Sequence, residues 1–221
     1  MERRKAAKAG GRGGRPSSAD ALRLRHRILE VATELFLAEG YGSTTIEAVA
    51  ARAGVSKRTL YHRFDDKAAL FAAVVHEIIQ QIRPPADMPL IEGATLRDIL
   101  CRLANMILRA ALAPRAIALH RLVMAESGRF PELVRAVHAD GSAREASTLI
   151  GGLLAQEFRD SRLSAANRAF AAEQFLFMVV TLPQRRAMGY GIPMTAAELE
   201  AWAGKSVDLF LDGCRGWGAR Q

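Results

Sequence analysis

The sequence predicts an all-α protein built from two helical domains. Apolar residues recur three and four positions apart in most segments, which is the periodicity of amphipathic helices. No segment shows the alternating pattern of a half-buried strand, and the chain has no internal repeat. Prolines, glycines and capping residues divide the 221 residues into helices, about nine in all. This length is enough for one large or two modest domains.

Four of the helices are predicted in the N-terminal third of the chain. The first covers residues 20–39 and ends at Gly40, a natural C-terminal cap. The other three cover residues 45–53, 56–64 and 67–83. Each of these three helices begins at or just after a residue whose hydroxyl or carboxylate can cap the first amides.

The clearest boundary in the chain is the stretch Pro84-Pro85-Ala86-Asp87-Met88-Pro89, which a helix does not tolerate. We therefore predict an N-terminal domain over residues 20–83, after a disordered basic arm at 1–19, and a C-terminal domain over 84–221. The later helices are predicted at residues 95–113, 114–127, 131–159 with a bend near Asp140-Gly141, 164–189 with a kink at Pro183, and 195–213 ending at Gly213.

The positive charge is concentrated at the N-terminus. Residues 1–64 hold 13 Lys and Arg against 6 Asp and Glu, a net charge of +7, whereas residues 65–221 hold 18 against 17. A basic head on a nearly neutral body predicts that the head meets a polyanion such as nucleic acid. A membrane surface would also satisfy the charge, but the basic segment lacks the bulky apolar anchors of a membrane-binding helix.

Residues 1–16 are expected to be disordered, because they contain too little apolar surface to fold. Their cations either lie along DNA phosphates or enter a minor groove, or they are simply solvated. They are Arg3, Arg4, Lys5, Lys8, Arg12 and Arg15.

The expected location is the bacterial cytoplasm, at the nucleoid. The N-terminus lacks the apolar core of a signal peptide, and its glycines argue against a mitochondrial transit peptide. No apolar run approaches the roughly 20 residues of a membrane span. Cys101 and Cys214 are isolated, so we expect free thiols and no disulfide.

The candidate functional element is the segment from Val55 to Phe64. Leu60 and Phe64 stand four apart and can be buried together, whereas the outer face carries cations, hydroxyls and rings without an acid. Its residues are Lys57, Arg58, Thr59, Tyr61 and His62. Gly54 supplies a tight turn before it, and hydroxyls at Thr44 and Thr45 can cap the preceding helix and hold a phosphate. This is the sequence form of a helix-turn-helix, although a helical hairpin with a solvated face is the alternative.

The first 83 residues resemble the DNA-binding domain of the TetR/AcrR family of bacterial transcriptional regulators. The residues that carry the resemblance are Ile28-Leu29-Glu30-Val31-Ala32, Leu35-Phe36, Gly40-Tyr41, Thr44-Thr45, Ile46-Glu47-Ala48-Val49-Ala50, Ala53-Gly54-Val55-Ser56, Thr59-Leu60-Tyr61, Phe64, Lys67 and Leu70-Phe71. The motif Phe130-Pro131-Glu132-Leu133 resembles one in the subgroup with an AefR-like C-terminal domain.

The resemblance implies an all-helical homodimer that binds a near-palindromic double-stranded DNA operator and responds to a small-molecule effector. It makes residues 20–83 the DNA-binding domain and residues 84–221 the regulatory and dimerisation domain. It assigns DNA contacts to Lys57, Thr59, Tyr61, His62 and Lys67. We expect Lys67 to meet a phosphate, since it opens the helix after the recognition helix. Lys57 and Arg58 are best placed to read base edges. Two residues differ from the family's usual pattern: Arg58 stands where members often have glycine, and Arg63 where they often have histidine or tyrosine.

Two further sites are expected in the C-terminal domain. Residues that could line an adaptable effector pocket, or simply fill a core, are Met106, His120, Met124, Phe130, Phe177 and Met178. Residues expected at a dimer interface are Phe175, Leu182, Leu199, Trp202 and Phe210.

No catalytic, metal or cofactor motif appears, and the five histidines are dispersed. A helical enzyme or carrier protein with an incidental basic hairpin remains the alternative to a regulator.

Overall fold

The computed structural model describes residues 18–83, 95–158 and 163–218, and within these ranges the chain forms ten α-helices and no strand. The helices are α1 (Ser18–Glu39), α2 (Ile46–Arg52), α3 (Lys57–Tyr61), α4 (Lys67–Ile82), α5 (Leu96–Ala111), α6 (Pro114–Glu126), α7 (Glu132–Ala139), α8 (Ser142–Glu157), α9 (Ala165–Ala187) and α10 (Ala196–Gly218). The predicted all-α class is confirmed.

Side-chain caps open several of these helices, because the first amides of a helix lack backbone acceptors. Thr45, Ser56 and Asp66 each accept the amide hydrogen of the residue three positions on, at 3.1, 3.1 and 2.7 Å. At α10, the Thr195 amide donates to the Glu198 carboxylate at 2.7 Å, and the Glu198 amide donates back to the Thr195 hydroxyl at 3.3 Å. The caps predicted at these positions are confirmed.

The first hydrophobic core joins α1–α4 to α6 and α7. At its centre the rings of Phe36, Tyr41 and Phe71 pack with centroid separations of 5.6, 5.4 and 5.3 Å. Leu122 of α6 and Leu133 of α7 are buried in the same cluster. The head formed by α1–α4 therefore shares its core with two helices from the far side of the predicted boundary.

The second core lies between α5, α8, α9 and α10. Phe175 and Val207 are fully buried there, and the Phe175 and Phe210 rings lie 4.9 Å apart. The Trp202 indole N–H donates to the Val179 carbonyl at 2.9 Å, which fixes α10 on α9. These two long helices consequently bury their main apolar stripes inside the monomer.

Several helix boundaries differ from their predictions. Helix α1 begins at Ser18, two residues early. The segment predicted as one helix over 131–159 is divided into α7 and α8 at Gly141, whose φ of +80° lies in the left-handed region that glycine adopts freely. Helix α9 continues through Pro183. Helix α10 continues through Gly213, because the next residue, Cys214, is still buried in the second core.

Two predicted features, the basic arm up to residue 17 and the proline-rich break at 84–89, lie outside the described residues. Among the helices that are described, none has both the length and the apolar character needed to cross a membrane.

Candidate nucleic-acid interface

The turn between α2 and α3 sets the angle of the helix-turn-helix. Gly54 has a φ of +67°, and an added Cβ there would meet no atom within 4 Å. Glycine is therefore required for its backbone conformation and not for space. The Val55 amide donates to the Ala50 carbonyl at 3.0 Å, which closes the end of α2, and Ser56 then caps α3.

Helix α3 is anchored on one side and exposed on the other. Leu60 and Phe64 are 0% and 6% exposed and belong to the first core. Arg58, Tyr61 and His62 project from the opposite side and are exposed. Burial of the apolar side leaves these three side chains on a surface that can meet the edges of base pairs.

Lys57 is held by neighbours on the same surface. Its ammonium forms an ion pair with the Glu47 carboxylate of α2 and lies 5.6 Å from the centroid of the Tyr61 ring. The hydrogen bond between them lowers the pKa of Glu47 and raises the pKa of Lys57. The outer face of α3 has no acid of its own, but the Glu47 carboxylate of α2 stands beside it. The Lys57 and Glu47 side chains are both more than half exposed, so a phosphate can compete with Glu47 for the lysine.

The three predicted threonines have different positions. Thr45 is exposed at the start of α2, and Thr59 is half-buried with its hydroxyl 2.8 Å from that of Ser56. Thr44 is only 1% exposed, and its hydroxyl donates to the Gly40 carbonyl at 2.7 Å. The predicted DNA contact of the Thr44 side chain is therefore not supported, because its hydroxyl closes the turn after α1.

Lys67 is predicted to contact a phosphate, but its ammonium is bound to backbone carbonyls of the protein. Its ammonium donates to the carbonyls of Tyr41 at 2.9 Å, Thr44 at 3.1 Å and Gly42 at 3.4 Å, and it lies 4.4 Å from the centroid of the Tyr41 ring. Two of the three N–H donors of the lysine thus have acceptors at ordinary hydrogen-bond distance within the protein, and the third contact is long. The ammonium ties the Gly40–Thr44 loop to the start of α4.

Two arginines that sequence reasoning missed also belong to the head. Arg25 of α1 lies 5.7 Å from the centroid of the Phe64 ring, and Arg52 of α2 donates to the Glu34 carboxylate at 3.3 Å. Neither contact has a short-range sequence signal, since the partners are 39 and 18 residues apart in the chain.

Comparisons with known proteins identify the family. The sequence-family model for bacterial regulatory proteins of the tetR family matches residues 28–74. The model described as the C-terminal domain of AefR-like transcriptional repressors matches residues 98–213, which is more than half of the chain. The chain belongs to the TetR family of bacterial regulators.

Curated relatives of this TetR-family chain are also regulators. A helix-turn-helix-type transcriptional regulator of Mycobacterium tuberculosis is 37% identical over 106 residues, covering 48% of this chain and 49% of the relative. The regulator UidR of Escherichia coli is 30% identical over 113 residues, covering 49% of this chain and 54% of UidR. The chain thus spans about half the length of the curated relatives it matches.

Solved structures match over most of the chain. A TetR-family transcriptional regulator from Mesorhizobium loti has a TM-score of 0.69 and 29% sequence identity, covering 87% of this chain and 96% of that one. The flavonoid-responsive regulator FrrA has a TM-score of 0.70 and 28% identity, covering 86% of this chain and 96% of FrrA. The likeness therefore extends through both the head and the C-terminal helices.

The predicted pocket residues of this TetR-family chain lie in different environments. Met106 and Met178 are half-buried against the second core. Met124 and Phe177 are 67% and 58% exposed, so neither side chain is enclosed within the monomer.

The other two predicted pocket residues lie nearer the head. Phe130 packs edge-on against Tyr41 at 5.0 Å between ring centroids, and His120 is half-buried on α6, where burial lowers its pKa. A shallow groove of about 520 Å³ lies elsewhere, on α8, and none of the six predicted residues lines it. Its lining residues are Gly141, Arg144, Glu145, Thr148 and Leu149.

The predicted dimer residues divide between core and surface. Phe175 and Phe210 are 0% and 5% exposed, so their predicted interface role is replaced by packing within the monomer. Leu199 and Trp202 are half-buried against the second core, and Leu182 is exposed. The large apolar side chains on the outside of α9 and α10 include Phe177 and Leu209.

Among the described residues, no group of three or more His, Cys, Asp or Glu side chains is arranged to hold a metal ion.

Proposed function

We propose that this protein is a transcriptional repressor that binds DNA as a homodimer and is released from it by a small-molecule effector. The observation that carries the proposal is the outer face of α3, where Arg58, Tyr61 and His62 are exposed while Leu60 and Phe64 anchor the helix in the first core. A short helix presented in this way fits the major groove of DNA. Membership of the TetR family supports the same role.

The exposed side chains divide into two kinds of contact. Arg58 and Lys57 stand in the first turn of α3, and both residue types can donate to the O6 and N7 acceptors of guanine. Tyr61 can donate its hydroxyl to a phosphate or touch a thymine methyl group with its ring. Lys57 must leave Glu47 to reach a base, so its contribution to affinity is smaller than that of Arg58.

A homodimer accounts for apolar surface that the monomer leaves uncovered. Phe177 of α9 and Leu209 of α10 are 58% and 68% exposed, and Leu182 is also exposed. An isologous pairing through these two helices would bury them and give two recognition helices related by a two-fold axis. The operator should then be a near-palindrome with half-sites one helical turn, about 34 Å, or a multiple of it apart.

An effector that alters DNA binding is supported by the architecture and by one neighbour. The structural neighbour FrrA is described as flavonoid-responsive, and its likeness covers 86% of this chain. Met106 of α5 and Met178 of α9 are half-buried against the second core, and methionine side chains can repack around an apolar or cationic molecule. As a DNA-binding regulator, the protein would act in the cytoplasm, on nucleoid DNA.

The decisive experiment is selection of bound duplexes from a random-sequence DNA library, followed by affinity measurements on the selected duplex. We expect a near-palindromic sequence, and binding that weakens between about 50 and 200 mM salt with a log–log slope of roughly 0.9 per phosphate contact. Arg58→Ala should alter the preferred sequence and cost about 1–3 kcal/mol on the selected duplex.

The matched control is Arg109→Ala, which removes the same charge from the exposed surface of α5, outside the head. It should leave the selected sequence unchanged. Failure of the wild-type protein to enrich any sequence, or a flat salt dependence, would refute the proposed function.

A further inference from the structure

The loop between α1 and α2 is held by a residue from the other half of the chain. The Glu126 carboxylate, at the end of α6, accepts the amide hydrogen of Tyr41 at 2.9 Å and that of Gly42 at 2.8 Å. Two adjacent backbone donors thus share one carboxylate, and hydrogen bonds to an ionised group are stronger than neutral ones. The loop leads directly into Thr45, the cap of α2, and α2 packs on α3.

The loop sequence leaves room for this carboxylate. A Cβ added at Gly40 would lie 2.6 Å from Glu126 Oε1. A Cβ added at Gly42 would lie 3.2 Å from Glu126 Oε2 and 3.2 Å from the Phe130 ring. Gly40 also has a φ of +90°, whereas Gly42 does not need a positive φ. A side chain at Gly42 would therefore require Glu126 and Phe130 to move by a few tenths of an ångström.

The motif Phe130-Pro131-Glu132-Leu133 completes the same junction. The Tyr41 hydroxyl donates to the Glu132 carboxylate at 3.1 Å, and the Phe130 ring packs against Tyr41. Burial, and then the bond to Glu132, raises the pKa of Tyr41, so the phenol stays protonated as the donor. Leu133 is fully buried in the first core. The motif that resembles the AefR-like subgroup thus contacts the head.

The two sides of the loop are bound by opposite charges. Its amides at Tyr41 and Gly42 point to Glu126, and its carbonyls at Tyr41, Gly42 and Thr44 point to the Lys67 ammonium. Lys67 belongs to the head, whereas Glu126 ends α6. A shift of α6 therefore moves one of the two charges that order the loop and leaves the other in place.

We propose that Glu126 is a positioning residue for DNA binding, because its carboxylate fixes the Gly40–Thr44 loop and thereby the orientation of α2 and α3 relative to α6. The inference rests on the proposed function, since DNA affinity is its readout. The carboxylate pre-orders the loop for the DNA-bound arrangement, and α6 transmits any change in the C-terminal helices to the head through these two hydrogen bonds. Ordering before binding increases affinity because less conformational entropy is lost in the complex.

The test compares Glu126→Gln with Glu39→Gln. Glu39 is exposed at the end of α1, one residue before the same loop, so both substitutions remove one negative charge close to the DNA-binding surface. Electrostatics alone predicts tighter DNA binding for both variants, because each reduces repulsion of phosphates. Positioning predicts the opposite for Glu126→Gln, since an amide accepts with only one of its two terminal atoms and directs an N–H at a backbone donor.

The measurements are dissociation constants for the duplex that the wild-type protein selects and for an unrelated duplex, at one salt concentration. We expect Glu126→Gln to bind the selected duplex about tenfold more weakly, within the 5–150-fold range typical of coupled sites, with a smaller change on the unrelated duplex. Gly42→Ala, which retains every hydrogen-bonding group but crowds Glu126 and Phe130, should weaken the selected duplex in the same direction.

Hydrogen exchange separates positioning from general destabilisation. In Glu126→Gln the amides of Tyr41 and Gly42 should exchange faster, while core amides of α1, such as that of Phe36, keep their protection. Equal affinities of Glu126→Gln and Glu39→Gln for the selected duplex would overturn the inference alone. A wild-type protein that selects no sequence would refute the proposed function and the inference with it, while the exchange rates would still report whether the carboxylate holds the loop.

Discussion

Replacing Lys67 with methionine tests whether this lysine stabilises the fold or binds a phosphate. Methionine keeps the length of the side chain and removes the ammonium. The change leaves the Tyr41 and Thr44 carbonyls without their donor at 2.9 and 3.1 Å, and the third carbonyl contact, at 3.4 Å, is too long to count for much. It also removes a cation 4.4 Å from the Tyr41 ring.

The expected loss of stability follows from these contacts. A hydrogen bond to a charged group contributes about 1.5–3 kcal/mol, and a cation over an aromatic face adds about 0.5–1 kcal/mol at an exposed site. Water can reach part of the loop once the ammonium is gone, which offsets some of the loss. We therefore expect Lys67→Met to lower the free energy of unfolding by about 2–4 kcal/mol.

The assay is urea denaturation at pH 7, with equal protein concentrations for all variants. Arg58→Met is the control, because it removes a positive charge from an exposed position on α3 and should change the free energy of unfolding by less than about 0.5 kcal/mol. If Lys67→Met unfolds at the wild-type urea concentration but lowers the salt slope of DNA binding by about one, the ammonium contacts a phosphate and the argument from its carbonyl partners is wrong.

Two further predictions concern α6 and α9. Burial lowers the pKa of His120 below its ordinary value of 6.5, so below that pH the unfolded chain binds a proton that the native state does not. In urea denaturation at pH 7 and pH 5.5, the wild-type protein should therefore lose more stability on acidification than His120→Gln. Equal losses would contradict the burial argument. Phe177→Asp should give monomers in sedimentation at micromolar concentration, whereas Glu157→Asp on the exposed side of α8 should leave the dimer intact. A Phe177→Asp dimer as stable as the wild type would exclude the exposed face of α9 as the interface.

Local sequence signals were sufficient to predict the helix-turn-helix. The turn at Gly54, the cap at Ser56 and the buried pair Leu60 and Phe64 all depend on residues within ten positions of one another. Capping and apolar periodicity act over such distances, so each of these features could be derived before any tertiary contact was known.

The roles of individual polar residues could not be derived in the same way. Lys67 opens a helix next to the recognition helix, which suggests a phosphate contact, yet its acceptors lie 23 to 26 residues earlier in the chain. Glu126 bonds to amides 84 and 85 residues away. Spacing along the chain carries no information about such pairs, because they are set by how α4 and α6 pack on the head.

Two of the five predicted dimer residues, Phe175 and Phe210, were assigned wrongly for a related reason. Apolar periodicity reports that a helix buries a face, but it does not report which partner covers that face. Phe175 and Phe210 have the pattern expected of an interface, and they are used to pack α9 against α10 within one chain. The exposed side chains available to a second copy, which include Phe177, Leu182 and Leu209, stand on other sides of the same helices.

The position of α6 relates the proposed effector to the loop before α2. Helix α6 contacts α1 and α4 of the head and also α5 of the second core, and Arg115 binds Glu30 of α1 and Gln81 of α4, at 2.8 Å for the latter. Its last residue, Glu126, holds the loop before α2. A ligand changes DNA affinity only if it binds one arrangement of the protein better than another. Because α6 contacts α5 as well as the head, we expect the proposed effector, if it moves α6, to displace the Glu126 carboxylate from the loop without having to tilt α4.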